Sequence, residues 1–114
     1  MKTRSDRSAI QIRERERMLA AADVGPTDQP GLVHSTMHVE SGQLPVGTRR
    51  RLVDAVLDHP RVGEAERLLV TMPIGDTEML DRVRERCEVV VTRAVGATKI
   101  VEARLDPTRG RSRP

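Results

Sequence analysis

The sequence of 114 residues contains no phenylalanine, tyrosine or tryptophan. Aromatic side chains bury the largest areas, so a core built only from leucine, valine, isoleucine, methionine and alanine gains less from each buried residue. A domain of this size already buries a reduced fraction of its surface. We therefore expect stabilisation by a partner subunit, most simply in a homodimer whose interface includes Leu69, Val89 and Val91 of the predicted central strands.

Cysteine content and hydropathy restrict the cellular setting. Cys87 is the only cysteine, so an internal disulfide is impossible, and the first 18 residues contain no apolar run typical of a signal peptide. No stretch approaches the roughly 18 consecutive apolar residues of a membrane span. These features predict a cytoplasmic protein with no integral membrane role.

The basic charge is concentrated at the two ends of the chain. Residues 1–20 and 107–114 each sum to +3, whereas residues 31–106 contain 11 basic and 12 acidic side chains. No aromatic side chain is present to stack on bases, so any nucleic-acid binding should be weak, non-specific and made to phosphates. The candidate phosphate contacts are Arg49, Arg50, Arg51, Arg109, Arg111 and Arg113.

Four segments are distinguished along the chain. Residues 1–23 mix arginine and glutamate around apolar residues at helical spacing, which predicts a helical N-terminal extension. Residues 24–31, VGPTDQPG, have linker composition, and residues 107–114 form a basic tail predicted to be disordered. Between them, residues 32–106 are predicted to form a single α/β domain.

Hydrophobic periodicity within residues 32–106 gives the order β-α-β-α-β-β. We therefore expect an α/β fold of α+β-like character: a sheet of about four strands, helices mainly on one face, and the N-terminal helix outside it. Asp76 or Thr77 is placed to cap the second helix, and Gly96 to form the turn of the final hairpin. The predicted strands cover residues 32–41, 67–72, 88–95 and 99–105, and the helices 46–59 and 76–87.

The first strand, LVHSTMHVES, has one apolar and one polar face. Its polar face consists of His34, Thr36, His38 and Glu40. In a strand the two histidines lie roughly 13 Å apart along the backbone, too far to share one ion. This face is therefore predicted to be a solvated surface rather than a metal site, although it is the weak candidate for a functional site.

No catalytic or nucleotide-binding motif is present. The chain has no Walker sequence and no G-x-G-x-x-G, and Cys87 lies at a helix end where the dipole disfavours a thiolate. We interpret the protein as a non-enzymatic module that acts through self-association or a protein partner, with no catalytic residue, cofactor or metal. The alternatives are a nucleic-acid accessory protein using its arginine-rich tails, and a hydrolase or metal protein using His34 and His38.

Overall fold

A computed structural model describes residues 7–105. These residues form three helices and one mixed sheet of six strands. The strand order across the sheet is β1-β2-β3-β4-β6-β5. Among the described residues, no helix is long and apolar enough to cross a membrane. The elements are β1 (Ser8–Glu14), β2 (Arg17–Pro26), β3 (Leu32–Val39), α1 (Thr48–Leu57), α2 (Pro60–Gly63), β4 (Arg67–Pro73), α3 (Thr77–Arg86), β5 (Glu88–Val95) and β6 (Thr98–Arg104).

The predicted N-terminal helix is wrong, because the described part of residues 1–23 forms an antiparallel hairpin. β1 and β2 pair from Ser8 opposite Val24 to the end of the hairpin, where Glu14 lies opposite Arg17. The sheet therefore has six strands, not about four. The hairpin also extends into the segment predicted to be a linker, since β2 continues to Pro26.

The hairpin turn carries no sequence signal for a turn. Arg15 adopts a φ of 59°, a left-handed conformation that glycine, asparagine or aspartate usually supplies. The flanking residues are arginine, glutamate, methionine and alanine, which favour helices intrinsically. Pairing with the sheet overrides that preference, and the alternation of Ile10 and Ile12 about Gln11 is the one local sign of a strand.

From residue 32 onward, the four strands and the two longer helices lie close to their predicted positions, whereas the short helix α2 was not predicted. Asp76 caps α3, its Oδ1 accepting a hydrogen bond of 3.0 Å from the amide of Met79. Gly96, at φ 61°, occupies the turn between β5 and β6. The predicted basic tail at residues 107–114 lies outside the described residues.

Both longer helices cover the same face of the sheet. α1 packs on β1, β2 and β3 and contacts α3, which packs on β5. The strands β4 and β6 alternate strictly between buried and less buried residues, so one face is covered and the other is open. The fully buried large side chains of the core include Leu19, Val24, Leu52, Val53, Val56, Leu68, Val70, Met72, Met79, Val83 and Val101.

The open face is where the predicted dimer interface would lie. Val91 is 46% exposed on the edge strand β5 and Leu69 is half-buried, whereas Val89 is half-buried against the core on the covered side of the sheet. The structure contains a single chain, so the homodimer stays a prediction.

Asp54 of α1 connects the two longer helices. Its carboxylate accepts hydrogen bonds from Arg82 at 2.8 Å and Arg86 at 3.1 Å, both on α3. The hydrogen bond from Arg82 is the main cause that holds the pKa of Asp54 below its ordinary value. Desolvation acts to raise this pKa, and the hydrogen bond from Arg86 lowers it further. Because the pKa is lower in the folded state, this stabilisation is present at neutral pH and is lost as the pH falls through the folded-state pKa.

Asp54→Asn should therefore lower the free energy of unfolding at pH 7 by about 1 kcal/mol, a value reduced for the partial exposure of the carboxylate. The difference from the wild type should shrink as the pH falls through the lowered folded-state pKa, because the carboxyl is then protonated in both the folded and the unfolded state. Urea denaturation at pH 7 and at a series of acidic pH values measures it. Asp58→Asn is the matched control, since that side chain is 66% exposed and, among residues 7–105, forms an ion pair with Arg86 alone. An equal loss in both variants would contradict the assignment.

Candidate functional site

The central feature of the sheet is the separation of β3 and β4. These parallel strands pair from Leu32 opposite Arg67 only as far as Thr36 opposite Thr71. Beyond that point β3 pairs only with β2 and β4 only with β6. Within the described residues, the facing edges of the two strands therefore lack a strand partner, and we call the space between them the gap. Unpaired backbone groups of this kind require hydrogen-bond partners from water or a ligand.

A cleft of about 370 Å³ lies at the mouth of the gap on the side of the helices. The carboxyl ends of β3 and β4 and the first turns of α1 and α3 all contribute to it. Carboxyl ends of parallel strands are a common place for ligands in sheets covered by helices. The lining residues are Val39, Arg49, Pro73, Gly75, Asp76, Thr77 and Glu78.

The amino end of α1 opens at the same edge of the sheet. Its N-cap is Gly47, at φ 89°, and no side chain caps the helix. The first turn contains no acidic residue. Uncapped amides and the positive end of the helix dipole favour an anion here. At the neighbouring end of α3, the carboxylate of Asp76 already fills that role.

The three consecutive arginines of α1 have different partners. Nε of Arg49 donates to Oδ2 of Asp76 at 2.7 Å, and Arg50 pairs with Glu85 at 3.3 Å. Arg51 is exposed and forms no ion pair with any described residue. Of the predicted phosphate contacts, only Arg49 lines the cleft, and Arg109, Arg111 and Arg113 lie outside the described residues.

His34 lies on the open face and is fully engaged. Nη2 of Arg7 lies 3.2 Å from Nδ1 of His34, and Nε2 of His34 lies 3.1 Å from Oγ1 of Thr71. Arginine only donates, so Nδ1 accepts and Nε2 carries the proton. Burial first, and then the charge of Arg7, hold the pKa of His34 below its ordinary value. The ring is neutral and has no nitrogen available for another proton.

Asp23 of β2 anchors this cluster. Its carboxylate accepts two hydrogen bonds from Arg7, at 2.9 and 3.0 Å, and one from the amide of Thr36 at 2.8 Å. Burial acts to raise the pKa of Asp23, but these hydrogen bonds and the charge of Arg7 together bring the pKa below its ordinary value. Sequence reasoning missed Asp23 and Arg7 because it assigned residues 1–23 to a separate helix.

His38 and Glu40 form a second pair, at the end of β3 beside the gap. Nε2 of His38 lies 3.3 Å from Oε2 of Glu40, and the His38 side chain is 63% exposed. The structure therefore divides the predicted polar face into an engaged His34 and an accessible His38. Within residues 7–105, no three histidine, cysteine, aspartate or glutamate side chains are grouped as metal ligands.

Ser35 is the buried polar residue of β3. Its side chain is fully buried, and its Oγ has no hydrogen-bond partner among the described residues. It lies opposite Val70, one residue before the last pair between β3 and β4. A buried hydroxyl without a partner is costly, and such groups often mark a place where a ligand or water binds.

The fold is similar to that of solved acetyltransferases. A protein from Salmonella typhimurium described as an acetyltransferase, solved with its cofactor acetyl-CoA, matches with a TM-score of 0.64 at 12% identity, over 86% of this chain and 64% of that one. An N-acetyltransferase from Staphylococcus aureus matches with a TM-score of 0.65 at 11% identity, over 87% and 67%. The GNAT domain of S. lividans PAT matches with a TM-score of 0.62 at 11% identity, over 88% and 61%.

These similarities establish a GNAT-like fold. The chain spans less than two thirds of the Salmonella protein, 64% of its length. No protein-family model matches the sequence, and neither does any curated protein.

The prediction of a non-enzymatic module that acts through self-association or protein binding is wrong in light of this fold, which the chain shares with solved acetyltransferases. The C-terminal arginines on which the nucleic-acid alternative depends lie outside the described residues. The physical reason for the error is that the site consists mainly of strand edges and a helix end. Backbone groups carry no side-chain motif that a sequence search can find.

Proposed function

We propose that this protein is an acyltransferase that moves an acyl group from an acyl-CoA thioester to a primary amine. The observation that carries the proposal is the separation of β3 and β4 after Thr36 and Thr71. The pantetheine arm of CoA is a narrow chain with two amide groups. It can therefore add to an unpaired strand edge through backbone hydrogen bonds, as an extended peptide does. The similarity to an acetyltransferase solved with acetyl-CoA supports the same assignment.

The gap joins two different environments. On the side of the helices, the uncapped end of α1 and the side chain of Arg49 offer positive groups to the phosphates of CoA. On the open face, His38 and Glu40 are accessible to a second substrate. A thioester that passes through the gap would leave its phosphates in the cleft and present its carbonyl carbon to an amine on the open face.

His38 is the residue we assign as general base. Glu40 engages Nε2, so Nδ1 is the ring nitrogen that can take a proton. The amine nitrogen bonds to the carbonyl carbon, the carbon–sulfur bond breaks, and the amine proton passes to Nδ1 of His38. The thiolate of CoA leaves and is protonated by solvent. A cytoplasmic location, where both substrates would be present, belongs to this proposal.

Isothermal titration with acetyl-CoA tests the proposal, with an expected dissociation constant between about 1 µM and 1 mM, the usual range for enzyme substrates. Release of the CoA thiol in the presence of a panel of primary amines, followed with a thiol reagent, tests the reaction. Val39→Trp should abolish binding because Val39 lines the cleft at the end of β3.

Val95→Trp is the matched control, since Val95 is 49% exposed at the end of β5 and does not line the cleft. It should bind acetyl-CoA as the wild type does. No heat of binding to the wild-type protein at millimolar acetyl-CoA would overturn the proposed function.

A further inference from the structure

We propose, on the basis of the acyl-CoA function above, that Arg49 makes the protein selective for thioesters of CoA over thioesters without phosphates, and that Asp76 is its positioning residue. The inference concerns one side chain of α1 and its partner at the start of α3. It assigns to this pair the choice between two acyl donors that share the same pantetheine arm.

The pair spans the mouth of the cleft. Nε of Arg49 donates to Oδ2 of Asp76 at 2.7 Å, and both side chains line the cleft. The Asp76 side chain is only 4% exposed, and its Oδ1 is held by the amide of Met79. Because a buried carboxylate with fixed hydrogen bonds cannot reorient, the guanidinium of Arg49 is held in one place.

Arg49 retains most of its donors for a ligand. A guanidinium has five N–H groups in a rigid fork, and Asp76 is bonded only through Nε. The two terminal nitrogens make no hydrogen bond with the described residues, and the side chain is 32% exposed. This fork fits two oxygens of one phosphate, which gives geometric selectivity as well as charge.

The neighbouring arginines provide the contrast. Arg50 pairs with Glu85 and Arg51 is exposed, and neither lines the cleft. All three contribute the same charge to the first turn of α1. Position in the cleft, not charge alone, therefore singles out Arg49.

The test compares CoA with pantetheine, which lacks every phosphate, by isothermal titration. The main variant is the double substitution Arg49→Gln with Asp76→Asn. It leaves the net charge of the site unchanged and leaves no buried charge without a partner. It also keeps a good N-cap on α3, because asparagine caps as well as aspartate. Arg51→Gln is the control that removes one positive charge from the same turn.

The wild type should bind CoA more tightly than pantetheine, and the double variant should lose affinity for CoA by at least about 10-fold while its affinity for pantetheine is unchanged. Arg51→Gln should stay within about 2-fold of the wild type for both ligands.

Equal binding of CoA by the double variant and the wild type would overturn the role of Arg49. So would equal affinity of the wild type for CoA and pantetheine, although the proposed acyltransferase would then stand. Binding of neither ligand by the wild type would overturn the proposed function, and this inference with it.

Discussion

Deletion of residues 1–26 should abolish cooperative folding of the remaining chain. β1 and β2 contribute Ile12, Leu19 and Val24 to the core, each at most 8% exposed. Burial of a large aliphatic side chain stabilises by about 1.5–3 kcal/mol, so these three account for roughly 5–9 kcal/mol. The free energy of unfolding of a whole domain is about 5–15 kcal/mol. The deletion also leaves the full length of β3 without its partner β2.

Far-ultraviolet circular dichroism during thermal denaturation measures this effect. The shortened chain should show no cooperative transition, whereas Leu19→Ala in the full chain should remain folded with a loss of about 2–5 kcal/mol. A shortened chain that melts cooperatively near the wild-type temperature would mean that the hairpin is dispensable for folding, as the N-terminal extension predicted from the sequence would be.

His38→Ala should lower kcat for acyl transfer by about 10²-fold or more, the usual contribution of a positioned general base. KM for acetyl-CoA should change little. His38 lies on the open face of the sheet, whereas the phosphates of the donor are assigned to the cleft beside the helices. Steady-state kinetics with a saturating amine substrate separate these two parameters.

Two control variants accompany this prediction. His59→Asn should keep the wild-type kcat, because His59 caps α2 through a hydrogen bond from the amide of Arg61 and does not line the cleft beside the gap. Glu40→Gln should lower kcat less than His38→Ala, since it weakens only the group that orients the ring. A wild-type kcat in His38→Ala would remove His38 as the base.

Much of the fold after residue 32 could be predicted, because its signals are local. The alternation of β3, the cap at Asp76 and the turn at Gly96 each depend on residues adjacent in sequence. The hairpin of β1 and β2 could not, because its turn uses Arg15 in a conformation that arginine rarely adopts. Its composition favours a helix, and only pairing with the sheet reverses that preference.

Sequence reasoning named some of the residues that lie at the candidate site, and their roles stay predictions. His34, His38 and Glu40 were placed together on one strand, and Arg49 was among the candidate phosphate contacts. Local sequence cannot distinguish the two histidines, because both lie on the same polar face of β3. Their different roles depend on Arg7 and Thr71, which lie 27 and 37 residues from His34 in the chain.

The sequence by itself determined the four strands and the two longer helices from residue 32 onward, since backbone preference, capping and hydrophobic period act over a few residues. Only the tertiary structure decided where β3 and β4 separate, because that register joins Thr36 to Thr71 across two helices, α1 and α2. It also decided that Arg49 meets Asp76, 27 residues away, at the mouth of the gap. Contacts over such distances depend on how the whole sheet pairs and on how its helices pack, which no short stretch of sequence specifies.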